Sequence, residues 1–158
     1  MDNKSKLKNR CVKIIESIKE SYPVLKDARI HIHLWTQSQG SMASFYFLSY
    51  HIFVDYKKWE EAADEELTGT LAHELVHLEH NKTTSYSRLF KELILYYTSP
   101  KARRKIERTT DIITIKKGFG KQLLKSSEFR IKMDKNALKF MKKYYLMPVE
   151  IKSILKKK

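Results

Sequence analysis

The sequence predicts one mixed domain, with strands confined to residues 29–54 and helices making up nearly all the rest. Three observations predict it. Apolar residues recur at helical spacing before residue 22 and again throughout the chain after residue 64. Alternating β-branched and aromatic residues occur only between those limits. The 158 residues, 42% of them hydrophobic, can bury one core without repeats or disulfides.

The elements follow in order. Residues 4–21 form an amphipathic helix with Leu7, Cys11, Ile14, Ile15 and Ile18 on one face, stopped by Tyr22-Pro23. "ARIHIHLW" alternates as a strand, "QSQGS" is a turn, and two strands follow near Met42–Phe47 and Ser49–Val54. A helix begins at Asp64, where Asp64, Glu65 and Glu66 meet free N–H groups, and runs to about His80, with Asn81 as its stop. Further helices cover about 85–97, 101–117 with Gly118 as C-cap, and 120–128. "DKNALKFMKKYYLM" and "PVEIKSILKK" are two more, the latter with Pro148 at its first position. Residues 1–158 read as a single domain, with 126–158 a basic helical C-terminal extension.

The net charge of +14 is unevenly placed. Residues 1–100 carry 13 Lys+Arg and 13 Asp+Glu; residues 101–158 carry 19 and 5. Such a basic half suits a solvated helical surface better than a nucleic-acid groove, because aromatic interleaving is thin. The lone Cys11 excludes an internal disulfide. The charged N-terminus is not a secretory signal, and no apolar run reaches the length of a membrane span. The expectation is a cytoplasmic protein with no membrane partner.

The chemistry lies in "GTLAHELVHLEHNK". On a helix, His73 and His77 stand one turn apart on one face and can share an ion. Glu74 falls beside that ion without binding it, placed to take a proton from water. Two imidazoles suit zinc, whose catalytic sites keep a position open. Leu67, Leu71, Leu75 and Leu78 stripe the other side for a core. Gly69, Ala72 and Val76 are small enough to admit a neighbouring element. The six histidines include none after His80, and the metzincin pattern fails because His80 and Thr83 occupy its Gly and third-His positions. An acid on another helix is left as third ligand. Glu107 and Asp111 lie four apart on one face of the 101–117 helix, with Glu107 as ligand and Asp111 holding the second nitrogen of His73. Glu92 is the rival.

His73-Glu74-x-x-His77 followed by Glu107-x-x-x-Asp111 resembles the gluzincin metallopeptidases, and the phrase "ERTTDIITIKKGFG" is similar to their minimal members, the minigluzincins. The resemblance spans about residues 25–125, and also extends to the catalytic core of larger relatives, without their membrane spans. It implies a zinc metalloendopeptidase of α+β, zincin-like fold, with a small, mostly antiparallel sheet above, helices below and a cleft between. Zn2+ would be the cofactor and a peptide or protein the substrate, extended along the edge strand "SMASFYF". Tyr86, Tyr96 and Tyr97 are candidate oxyanion donors by residue type. His31 and His33 share a half-exposed strand face. The alternative is a nucleic-acid-associated or acidic-partner-binding module using residues 101–158, its zinc structural or incidental. The C-terminal helices, offering Phe140, Tyr144, Leu146, Val149, Ile151 and Ile154, are expected to pack on the helical underside rather than in the cleft.

Overall fold

A computed structural model describes residues 2–36, 42–46 and 49–157. The elements are α1 (Asn3–Ile18), β1 (Ile30–Trp35), β2 (Met42–Tyr46), β3 (Ser49–Asp55), α2 (Tyr56–Trp59), α3 (Asp64–Thr83), α4 (Tyr86–Thr98), α5 (Pro100–Thr114), α6 (Gly120–Met133), α7 (Lys135–Tyr144) and α8 (Pro148–Lys156). The chain is mostly helical with a small sheet, an α+β arrangement. The turn expected at "QSQGS" lies outside the described residues, as do both ends of "SMASFYF".

The mostly antiparallel sheet implied by the resemblance is not what forms. The strand order is β1-β3-β2, with β1 parallel to β3 from Ile30↔Tyr50 to Trp35↔Asp55, and β2 antiparallel to β3. The short link between β2 and β3 enforces their antiparallel pairing. β1 then takes the remaining edge of β3, and the 13 residues between the two strands in sequence give the length that a parallel pair requires. β3 belongs in the middle because Tyr50, Ile52 and Val54 must be covered, and all three are buried.

The inner sheet face, with Ile32, packs against Leu7, Cys11, Ile14, Ile15 and Ile18 of α1 and the leucine stripe of α3. Leu67, Leu71, Leu75 and Leu78 are all buried, as the periodicity requires. Burial pushes the Cys11 thiol up to about 12, so it behaves as a small apolar side chain. Two polar anchors fix α3 on this core. Arg10 of α1 donates to the Ala62 carbonyl and pairs with Asp64 at 2.8 Å. The Tyr22 hydroxyl donates to the Ala72 carbonyl at 2.7 Å, one residue before His73.

Several helix limits differ from expectation. α3 continues past Asn81 because the Thr83 hydroxyl satisfies the carbonyls of Glu79 and His80. α5 ends at Thr114, and residues 115–119 form a wide π turn in which Gly118 takes φ +98°. That turn brings Lys117 to the Ser21 carbonyl at 2.9 Å and Glu79 at 2.9 Å, joining α1, α3 and α5. α6 runs to Met133 and stops where Asp134 caps α7 through the Asn136 N–H.

α6 crosses α3 at Gly69, where a methyl group would meet the Gln122 carbonyl oxygen at 2.1 Å. α7 and α8 pack on α5 and α6. Ile115, Leu123, Leu146 and Ile151 make a second, smaller core there, while Val149 stays exposed. The C-terminal helices therefore lie against helices, as expected, but their connector reaches further.

Candidate metal centre

α3 and α5 face each other with His73, His77, Glu107 and Asp111 between them. His73 and Glu107 are buried; the His77 side chain is partly exposed, so the centre opens on that side. The three ligand atoms form a compact triangle. His73 Nε2 lies 3.2 Å from His77 Nε2 and 3.2 Å from Glu107 Oε2, and His77 Nε2 lies 3.5 Å from that oxygen. Ligands at the usual zinc distances on tetrahedral vertices stand about 3.3 Å apart. The buried His-His-Glu group can therefore hold a metal ion, and it is the only such group among the described residues.

His73 and Glu107 are held from behind. His73 Nδ1 donates to Asp111 Oδ1 at 2.9 Å, which fixes the tautomer and leaves Nε2 for an ion. Asp111 Oδ2 accepts from the Leu146 N–H at 2.8 Å. The Tyr96 hydroxyl of α4 donates to Glu107 Oε1. Hydrogen bonds from His73 and His77 overcome the effect of burial and hold the Glu107 carboxyl well below its ordinary range. Burial lowers the proton affinity of His73, but its bonds to Asp111 and Glu107 more than reverse this and raise it to about 10. The two carboxylates around His73 thus favour a positive charge at the centre of the site.

Glu74 is buried beside the triangle, and burial raises its carboxyl despite the pull of His73 and His77. It lines a cavity of about 30 Å³ with His73, Asp111, Ser127, Trp59 and Arg130. Ser127 Oγ and Trp59 Nε1 are buried there without a protein hydrogen-bond partner. The space suits a water that could serve both.

The rival ligand Glu92 is placed elsewhere. It accepts from His80 at 2.6 Å and from Arg88 at 2.8 Å, away from the triangle. Of the candidate oxyanion donors, Tyr96 is committed to Glu107, while Tyr86 and Tyr97 are 71% and 68% exposed. Sequence reasoning missed Tyr145, which precedes α8. Its ring lies 5.7 Å from that of His73, and burial, then the charge of Glu107, pushes its hydroxyl up. No spacing rule connects Tyr145 to the motif 68 residues earlier; only the fold does. His51 was missed as well. It stands in register with His31 and is hydrogen-bonded to His33 across 2.8 Å, a pair on the outer sheet face, not part of the metal triangle.

Much of the basic half has structural work. Arg108 binds Glu150 and the Tyr145 carbonyl, and the Arg103 guanidinium lies 4.6–4.9 Å from the rings of Tyr96, Phe140 and Tyr144. No described helix is long and apolar enough to cross a membrane. Comparison with known protein families, with curated proteins and with solved structures returns no match for this chain.

Proposed function

We propose that this protein is a zinc-dependent metallopeptidase of gluzincin type, with His73, His77 and Glu107 as ligands and Glu74 as general base. The observation that carries the reading is the triangle of ligand atoms with 3.2, 3.2 and 3.5 Å edges, backed by Asp111 on His73 Nδ1. A structural zinc site would call for a fourth protein ligand, commonly cysteine, and the lone Cys11 is buried on the core face of α1.

A zinc ion held there supplies a Lewis acid that polarises a scissile carbonyl and makes water more acidic. Glu74 takes the proton of the attacking water and gives it to the leaving amine. Its buried carboxyl, raised from the ordinary range, suits both directions of that transfer. Asp111 orients His73, and Tyr96 holds Glu107. Tyr145, which lines the cavity beside Glu74 with its ring 5.7 Å from that of His73, replaces the exposed tyrosines as candidate donor to the developing oxyanion. β2 is an edge strand that lies against α3, so an extended peptide can add to its outer side.

Glu74→Gln tests this. The variant is expected to bind zinc as the wild type does and to cleave an unstructured protein substrate at least ~10²-fold more slowly. Wild-type turnover in the variant would remove Glu74 from the mechanism. A steep salt-dependent affinity for DNA, without peptidase activity in the parent, would favour the nucleic-acid module instead.

A further inference from the structure

α4 breaks the rule that an amphipathic helix buries its apolar face. None of its 13 residues is buried. Phe90, Leu93, Ile94 and Tyr97 stand at i, i+3, i+4 and i+7, and are 65%, 54%, 47% and 68% exposed. Helical geometry places these four on one stripe about 100° wide. The helix is held instead by its flank, through Tyr96 to Glu107 and Glu92 to His80. A contiguous patch of this kind exceeds the scattered apolar exposure of ordinary surfaces and marks a contact site.

The charge around the stripe selects the occupant. Residues 82–105, which include α4 and the start of α5, hold seven Lys and Arg against one acid, Glu92; with Arg88 paired to that acid and Arg103 turned onto aromatic rings, Lys82, Lys91, Lys101, Arg104 and Lys105 make up the excess. That acid is already paired with His80 and Arg88. A second copy of the chain would bring the same positive charge against itself. A surface that is apolar inside and anionic at its rim satisfies both features. We propose that α4 seats this protein on an anionic phospholipid bilayer, with Phe90, Leu93, Ile94 and Tyr97 at the headgroup–acyl boundary and the basic residues among the headgroups. This is attachment to a surface, and it requires no spanning helix. It stands independently of the peptidase reading. Because Tyr96 ties the same helix to Glu107, it also sets the metal centre beside the membrane plane.

The test is flotation of the full chain with vesicles of phosphatidylcholine and phosphatidylglycerol at 7:3, against phosphatidylcholine alone. The wild type is expected to float with the mixed vesicles and to bind pure phosphatidylcholine far more weakly. Phe90→Ser/Leu93→Ser should lower the apparent affinity by about tenfold or more, since two large side chains leave the apolar layer. These side chains are exposed, so the melting temperature should not fall. A Phe90→Trp variant should add a blue-shifted emission component on the mixed vesicles, which attraction by charge alone would not produce. Flotation of the double variant equal to wild type, or no blue shift, overturns the proposal. So does a dimer without vesicles that the double variant abolishes, which would make the stripe a self-association face. An acidic protein that binds the stripe while the mixed vesicles do not would overturn it too.

Discussion

At the scale of single residues, His73 is the most informative. It has partners on both nitrogens, and against the effect of burial its bonds to Asp111 and Glu107 raise its proton affinity from 6.5 to about 10. A folded value above the unfolded one means that its stabilisation is complete below about pH 6.5 and is lost as pH rises through 10. An incoming divalent ion must displace the proton on Nε2. Uptake at pH 7 is therefore expected to release about one proton per ion, and affinity should climb with pH. Calorimetry in buffers of different protonation enthalpy counts that proton; none released would remove His73 Nε2 from the ligand set. The acids separate cleanly. Glu107→Ala should weaken zinc binding by more than the ~10–100-fold typical of an outer-shell change such as Asp111→Ala, while Glu92→Ala should leave it unchanged. Competition with a chelator ranks the three, and an effect of Glu92 equal to that of Glu107 would contradict the assignment. His73, His77, Glu107 and Asp111 were all legible because i, i+4 spacing on a helix is a geometric certainty. Tyr145 and His51 were not, because their partners are distant in sequence.

Among elements, α3 and α6 meet backbone to backbone at Gly69. A side chain there would collide with the Gln122 backbone, which cannot rotate away as a side-chain end could. Gly69→Ala is expected to cost about 1–3 kcal/mol or more, lowering the melting temperature by about 2–4 °C for each kcal/mol. A thermal melt of the variant measures it, and an unchanged midpoint would mean that the two helices are not in this contact. The need for a close neighbour at Gly69 could be read from its small size, but the identity of that neighbour could not. Sheet polarity was likewise hidden. The alternation marked three strands, but nothing in a strand's own residues says which edge of β3 the first strand takes. The sequence predicts a helix over about 85–97, but periodicity reports only amphipathicity and leaves open what covers the face.

For the whole molecule, the C-terminal helices contribute both stability and the site. Met141, Tyr144, Leu146 and Ile151 are buried, and the connector delivers Tyr145 to His73 and an N–H to Asp111. Truncation after Lys139 is expected to remove several kcal/mol of stability and to lower, not raise, the peptidase rate. Melting temperature and cleavage rate of the full and shortened chains decide it. A shortened chain that melts unchanged and cleaves faster would make the segment an inhibitor. The basic half read as solvated surface is in part a set of clamps, with Arg103, Arg108 and Lys117 each joining elements. The bond from Leu146 to Asp111 also has a temporal meaning. On a ribosome adding 5–20 residues per second, about two to seven seconds separate the synthesis of Asp111 from that of the residue that steadies it. His73, His77 and Glu107 are all synthesised before that support, so a nascent chain carries the whole candidate metal triangle before it carries a fully braced centre. On the proposed peptidase reading, the centre would gain its last brace only after most of the chain, itself an unfolded polypeptide, had been made.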